Sequence, residues 1–170
     1  NGQTIHSFFK FKPDITIDKV ISNYRNVRNP EVYKNLQILV IDEISMVRAD
    51  LLDCVNQFLK MHGSKKNKSF GGVQLVFIGD LYQLPPVVTY KEKEIFRTMY
   101  ESPYFFDSNA FKETNFILIE LEKIYRQTEE DFIKILNAVR NRSIDDNLLD
   151  SLNKNVNFNF DPNPNEGYVE

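Results

Sequence analysis

The feature that most constrains the fold of this chain is the uncharged run from 38 to 41, which ends abruptly at two adjacent carboxylates, Asp42 and Glu43. Four consecutive apolar residues can all be buried only in a strand that is covered on both faces, so the run predicts a central strand of a mostly parallel sheet. Ligands of open α/β sheets bind beyond the carboxyl ends of the strands. We therefore expect the two carboxylates to lie at the ligand-binding edge.

A second strand of the same design is predicted at 73 to 79, where an apolar run leads into Gly79 and Asp80. Between the two strands, apolar side chains recur at helical spacing and predict a helix from about 48 to 61. The order of strand, loop, crossover helix and strand indicates an α/β fold. Two strands that deliver acids to one edge indicate a site for a nucleotide and a metal ion.

Composition fits a single folded domain. The chain has 170 residues, is 42% hydrophobic and contains 14 Phe and 8 Tyr, so it can bury a sizeable core. No run approaches the roughly 20 apolar residues that cross a bilayer, and no signal peptide opens the chain, so we expect an intracellular protein without a membrane partner. The lone Cys54 predicts a small buried group and no internal disulfide. A net charge of −3 argues against general attraction to nucleic acid, although a local groove can still be positive.

Other segments have weaker patterns. Residues 63 to 69 carry three lysines and are expected to form an exposed loop, which is either solvated or in contact with DNA. Residues 88 to 107 show no clean periodicity and are expected to be mostly irregular. Residues 115 to 121 predict a third strand, with Phe116, Leu118 and Ile117 as its buried positions.

Two helices are predicted near the end of the chain. Thr128 is expected to cap the first, and Asp145 or Asp146 the second. The buried stripe of the first helix would consist of Phe132, Ile135, Leu136 and Val139.

Four short motifs resemble those of a known family: TIHSFF at 4–9, LVIDEISM at 39–46, FGGVQLVFIGDLYQLPPV at 70–87 and LEKIYRQ at 121–127. In sequence and in order they are similar to motifs Ia, II, III and IV of the PIF/RecD-type 5′-to-3′ DNA helicases. The resemblance implies a partial RecA-like P-loop NTPase domain, α/β, with a mostly parallel sheet flanked by helices. It also implies ATP and Mg²⁺ as cofactors, single-stranded and forked duplex DNA as partners, and roles in DNA repair, recombination and telomere maintenance.

The resemblance assigns nucleotide chemistry to five residues. Asp42 would hold Mg²⁺, largely through water, because magnesium sheds its water reluctantly. Glu43 would orient or deprotonate the attacking water. Gln83 would sense the γ-phosphate, Arg126 would neutralise it as an arginine finger, and Asp80 would support the loop that carries Gln83. Phosphoryl transfer needs these parts because negative charge spreads over the γ-phosphoryl oxygens in the transition state.

Each assignment has a structural alternative. The acid pair at the strand end could simply cap the following helix. Gln83 could satisfy backbone groups of its own loop. Arg126 could be a surface ion-pair partner of Glu122 or Glu129.

The resemblance also implies contacts with single-stranded DNA, and the residues concerned are Thr4, His6, Ser7, Phe8, Pro85 and Pro86. Aromatic faces stack on bases, while hydroxyls and N–H groups hold phosphates. The prolines form a rigid edge just after the γ-phosphate sensor and could couple the nucleotide state to the grip on DNA. Alternatively, His6 and the aromatic residues Phe8, Phe9 and Phe11 belong to the core, and the prolines form a stiff turn.

The sequence contains no G-x-x-x-x-G-K-[ST] pattern, since Gly71 and Gly72 have no Lys-Ser or Lys-Thr behind them. We therefore expect residues 1–152 to be a fragment of helicase domain 1A without its Walker A segment, and residues 153–170 to lead toward a second RecA-like domain. Such a fragment is expected to be inactive by itself. Two alternatives remain: a non-catalytic nucleic-acid or protein-binding module, and a metal-dependent nuclease built on Asp42, Glu43 and Asp80.

Overall fold

The computed structural model describes residues 2–123, 125, 129–154 and 156, without the side chains of residues 91 and 95. The chain forms two compact units, Asn1–Leu118 and Ile119–Glu170. None of the described helices is long and apolar enough to cross a membrane.

The regular secondary structure of the described residues is mostly helical, with one small sheet. The helices are α1 (Ile5–Phe9), α2 (Ile17–Asn23), α3 (Pro30–Lys34), α4 (Ala49–His62), α5 (Tyr90–Met99), α6 (Asn109–Lys112), α7 (Glu130–Arg140) and α8 (Asp146–Asn153), and the strands are β1 (Ile38–Ile41) and β2 (Gln74–Phe77). Short 3₁₀ turns occupy Ile44–Met46, Ser69–Gly72 and Phe105–Asp107.

The two strands pair in parallel, with Ile38 opposite Gln74 and Ile41 opposite Phe77. Helix α4 is the crossover between them, so the predicted strand–helix–strand unit is confirmed. The inward-facing side chains of the sheet are Leu39, Ile41, Leu75 and Phe77, which all belong to the main core. Because the strands are parallel, the loops after Ile41 and Phe77 leave from the same edge.

The opposite face of the sheet is open. Ile38 and Val40 are 53% and 54% exposed, and Val76 on β2 and Ile78 just after it are also exposed. The prediction that the run from 38 to 41 is buried on both faces is therefore wrong for this structure. Within the described part of the chain, the packed layer lies on one side of the sheet, so alternate residues of each strand face solvent.

The core of the first unit centres on Phe58 in α4, which is fully buried. Its ring contacts the rings of Phe9, Phe11, Tyr24, Tyr33 and His62. Cys54 is buried in the same core, as predicted, and burial raises the pKa of its thiol to about 12. These contacts join α1, α2 and α3 to the crossover helix.

Helix α5 shows that the prediction of irregular structure from 88 to 107 is wrong over ten of those residues. Thr89 and Glu92 form a capping box at its start, in which the Glu92 carboxylate accepts the backbone N–H of Thr89 at 2.9 Å. Phe96 and Tyr100 are then buried against Ala49 of α4. A local start signal and two buried aromatic side chains together account for the helix.

The third predicted strand is also wrong. Residues 115–123 have no regular secondary structure, and Ile117 and Leu118 are 90% and 93% exposed. Only Phe116 packs, with its ring 4.5 Å from that of Phe111 and 4.9 Å from that of Phe77. A strand forms only when a neighbour accepts and donates its backbone hydrogen bonds, and none of the described residues does so at this segment.

The second unit contains α7 and α8. Ile135 is buried as predicted, but Phe132, Leu136 and Val139 are exposed, so most of the predicted stripe is wrong. Asp145 caps α8 by accepting the N–H of Leu148 at 2.8 Å, which confirms the predicted start of that helix. The predicted cap at Thr128 lies outside the described residues.

Candidate functional site

The two acid-bearing loops are joined at one edge of the sheet. The backbone N–H of Ile44 donates to the carbonyl of Ile78 at 2.9 Å, and the N–H of Ile78 donates to the carbonyl of Ile41 at 3.0 Å. Gly79 approaches so closely that a Cβ there would lie 2.9 Å from Cγ2 of Ile44 and 3.2 Å from the nitrogen of Ser45. A side chain at position 79 would therefore push the loops apart.

Asp42 and Glu43 are exposed at the end of β1. Oδ1 of Asp42 accepts the N–H of Glu43 at 2.9 Å, and Glu43 has a left-handed backbone with φ of 52°. Such a conformation costs a non-glycine residue on the order of 1–3 kcal/mol and often occurs at functional sites. Glu43 occupies the N-cap of the 3₁₀ turn Ile44–Met46 but makes no side-chain cap hydrogen bond there, and α4 has Arg48 at its N-cap. The alternative in which the acid pair caps the following helix therefore has no support from a side-chain hydrogen bond.

No cluster of three or more potential metal ligands occurs among the described residues. Asp42 is a single exposed carboxylate, and one of its oxygens is already bound by the N–H of Glu43. Magnesium suits this donor set because it keeps several waters and needs only one or two protein carboxylates. Zinc would need about four closely placed ligands.

The loop after β2 is organised by Asp80. Its carboxylate accepts the N–H of Tyr82 at 3.0 Å and the side-chain amide of Gln83 at 3.4 Å, while its carbonyl accepts the N–H of Gln83 at 3.1 Å. The Gln83 side chain is therefore held beside Asp80 in an exposed turn. Pro85 is exposed and Pro86 is buried, so one of the two prolines is available to a ligand.

Ser45 is a feature of this edge that sequence reasoning missed. Its side chain is almost fully buried, and its hydroxyl has no hydrogen-bond partner among the described residues. A buried polar group of this kind normally has a partner, because desolvation is costly. The only signal for Ser45 in the sequence was its place in the Ile-Ser-Met segment that follows the acid pair.

The first motif forms α1 and the residue before it. Thr4 caps the helix by accepting the N–H of Ser7 at 3.1 Å, and both side chains are exposed. His6 is half-buried. Phe8 is half-buried too, with its ring 4.9 Å from that of Phe9 and close to that of Tyr33.

The core alternative holds for Phe9 and Phe11, which are buried among aromatic rings. Only Thr4, Ser7 and the outer parts of His6 and Phe8 are open to a ligand. Arg126 lies outside the described residues, so its two predicted roles stay predictions.

Comparison with known proteins identifies relatives for most of the chain. A family model described as PIF1-like helicase matches residues 1–149. The ATP-dependent DNA helicase PIF1 of Saccharomyces cerevisiae is 38% identical over 151 residues, which is 85% of this chain and 16% of that protein. This chain thus spans well under a quarter of that relative.

Solved structures show the same fold. Pif1 from Bacteroides in complex with ADP-AlF3 and ssDNA is 38% identical, with a TM-score of 0.78, over 90% of this chain and 36% of that one. A structure of two coordinating Pif1 helicases at forked dsDNA is 40% identical, with a TM-score of 0.77, over 91% of this chain and 37% of that one. The predicted RecA-like α/β fold is confirmed.

Proposed function

This chain belongs to the PIF1-like helicase family, and on that premise we propose that it is part of the first RecA-like domain of an ATP-dependent DNA helicase. The full protein would couple ATP hydrolysis to 5′-to-3′ movement on single-stranded DNA and to unwinding of forked duplexes. Support comes from the related Pif1 structures with ssDNA, forked dsDNA and ADP-AlF3. It would act inside the cell, in DNA repair, recombination or telomere maintenance, and residues 153–170 would lead to a second RecA-like domain.

The observation that carries the proposal is the joining of the two acid-bearing loops by the hydrogen bond from Ile44 to Ile78. It keeps Asp42 and Glu43 beside the turn in which Asp80 holds Gln83. A nucleotide at this edge would meet a candidate metal-binding carboxylate, a candidate base and an amide on two loops that are joined by backbone hydrogen bonds.

In the proposed reaction, water attacks the γ-phosphorus, the bond from that phosphorus to the bridging oxygen breaks, and ADP leaves. Glu43 would accept the proton of the attacking water, and its exposed carboxylate leaves room for that water. Asp42 would hold Mg²⁺, which supplies charge neutralisation when bound. Gln83 would sense the γ-phosphate, and Arg126 would neutralise it.

DNA would be contacted by the exposed hydroxyls of Thr4 and Ser7, with Pro85 as the accessible proline. The half-buried His6 and Phe8 offer only an edge or part of a face to a base. Pro86, which is buried, would support Pro85 and have no direct contact with DNA. Phosphate contacts would therefore outweigh base stacking in this part of the surface.

The test is ATPase activity of the full-length protein that contains this sequence, with and without single-stranded DNA. We expect DNA to stimulate turnover, and Glu43→Gln to lower it by about 10²- to 10⁴-fold while nucleotide still binds. Glu94→Gln, an exposed acid-to-amide change on α5, is the matched control. No turnover in the folded protein would favour the non-catalytic module, and metal-dependent DNA cleavage without nucleotide would favour the nuclease.

The isolated 170 residues are expected neither to hydrolyse ATP nor to unwind DNA, because they contain no Walker A pattern to hold the phosphates. Robust turnover by these residues alone would contradict this.

A further inference from the structure

A basic pocket lies at the C-terminal end of α4. It has a volume of about 430 Å³, and the cations among its lining residues are Arg25, Lys60 and Lys66. None of the lining residues that the structure describes is acidic. The pocket is remote from Asp42, because Asp42 precedes the N-terminal end of α4 and the 14 residues of that helix span about 21 Å.

The pocket is built on a fixed framework. Nε2 of His62 lies 2.7 Å from the carbonyl of Tyr24, which ties the end of α4 to the end of α2. On the other side, the backbone N–H of Asn67 donates to the carbonyl of Lys60 at 3.3 Å. The lining of the pocket is therefore already ordered, so ligand binding would lose little conformational entropy there.

The lysine-rich loop beside the pocket is held just as firmly. Phe70 is 1% exposed, and its N–H donates to Oδ1 of Asn56 in α4 at 2.8 Å. The N–H of Lys65 donates to the carbonyl of Gly71 at 2.9 Å. Three lysines are exposed on this hydrogen-bonded loop, Lys65, Lys66 and Lys68. Their positive charges are therefore held close together.

The charge balance favours an anion. The C-terminus of a helix carries a negative charge of about half a unit. The three cationic side chains of the pocket together carry more positive charge than this. Glu113 forms an ion pair with Lys60, but the two groups are 3.8 Å apart and the Glu113 side chain is 62% exposed, so this acid offsets little of the charge. The local excess of cations contrasts with the net charge of −3 on the whole chain.

We propose that this basic pocket binds the phosphate backbone of duplex DNA. No Phe or Tyr is among its described lining residues, whereas single-strand sites usually add aromatic rings on which bases stack. A cationic site without rings suits a duplex, whose bases are already stacked and whose phosphates face outward. The choice of DNA as the source of phosphate rests on the proposed function.

The test measures binding of a short fluorescent blunt duplex to the full-length protein by anisotropy over a range of salt concentrations. The pocket variant is Arg25→Gln with Lys66→Gln, and the matched control is Lys93→Gln with Arg97→Gln on the exposed side of α5. Removing two phosphate contacts should reduce the slope of log K against log salt by about 1.8. The control should leave the slope unchanged, and Arg25→Lys with Lys66→Arg should restore it.

Three results would overturn the proposal: an unchanged slope in the pocket variant, an equal fall in the control, or displacement of the duplex by polyglutamate as effective as that by unlabelled duplex. Circular dichroism of each variant separates loss of binding from loss of folding. Arg25 also donates a hydrogen bond to the carbonyl of Ile21, and the variant that retains the charges controls for the loss of this bond. Absence of DNA-stimulated ATPase in the unaltered protein would count against the proposed function instead, so the two failures are distinguishable.

Discussion

Asp53 accepts the backbone N–H of Ala110 at 2.7 Å, and this bond fixes the start of α6 to the N-terminal half of α4. The same carboxylate, only 4% exposed, accepts the Tyr100 hydroxyl at 2.9 Å and two N–H groups of Asn109. Burial and the charge of Asp53 raise the pKa of Tyr100. One buried acid thus joins three helices behind the sheet.

Replacement of Asp53 by Ala should lower the free energy of unfolding by about 3 kcal/mol, because it leaves buried donors without an acceptor. Urea denaturation monitored by circular dichroism measures the change. Asp150→Ala, an exposed change on α8, should cost no more than about 0.5 kcal/mol. Equal losses of free energy of unfolding in the two variants would show that the hydrogen bonds of Asp53 do not stabilise the fold.

Glu92 should make stability depend on pH. Hydrogen bonds from Thr89 and Arg48 lower its pKa from 4.5 to about 2, so its ionised form stabilises the fold above pH 4.5 and this contribution is lost as the pH falls toward 2. The side chain is 37% exposed, so the effect is about 1 kcal/mol after solvent screening.

Glu92→Gln should therefore reduce stability at pH 7 and flatten the pH dependence between 4.5 and 2. Denaturation at several pH values tests this, with Glu94→Gln as the control. A pH profile for Glu92→Gln parallel to that of the unaltered chain would contradict the role of the capping box.

Ser45→Ala should leave the free energy of unfolding unchanged or raise it by about 1 kcal/mol, because it removes a buried hydroxyl without a described partner. Ser108→Ala is the matched comparison: that hydroxyl is equally buried but accepts the N–H of Phe111 at 3.1 Å, so its loss should cost about 1 kcal/mol. Equal destabilisation by the two changes would mean that Ser45 is bonded after all.

Asp80 and Gln83 should act as a unit in the full-length enzyme. Gln83→Ala is expected to lower kcat roughly 10²-fold if the amide meets the γ-phosphate. Asp80→Ala should lower kcat by misplacing that amide, and the double variant should be little worse than the more damaging single change. Multiplicative losses in this cycle would indicate independent roles.

Local patterns in the sequence were enough for several elements. The apolar runs located β1 and β2, and helical spacing located α4. The Thr89 capping box is equally local, but the poor periodicity around it concealed α5. The strand expected at 115–121 depends on a pairing partner elsewhere, which no pattern within the segment reveals.

The candidate site was predictable to the same extent. A topological rule placed Asp42, Glu43 and Asp80 at one edge of the sheet from their positions after the strands. By contrast, Arg25 and Lys66 line one pocket because the end of α2 is bonded to the end of α4. A shared pocket between residues so far apart in the chain leaves no trace in composition or spacing.

The open face of the sheet has a practical consequence for work on these residues in isolation. Ile38, Val40 and Val76 are exposed on the two-stranded sheet that the described residues form, and Ile78 is exposed just after β2; exposed apolar side chains and unpaired strand edges promote aggregation. Concentrated solutions of the 170-residue chain should therefore scatter light increasingly with time. This aggregation would result from the exposed face of the sheet. A charged substitution on that face, such as Val40→Lys, should reduce the light scattering.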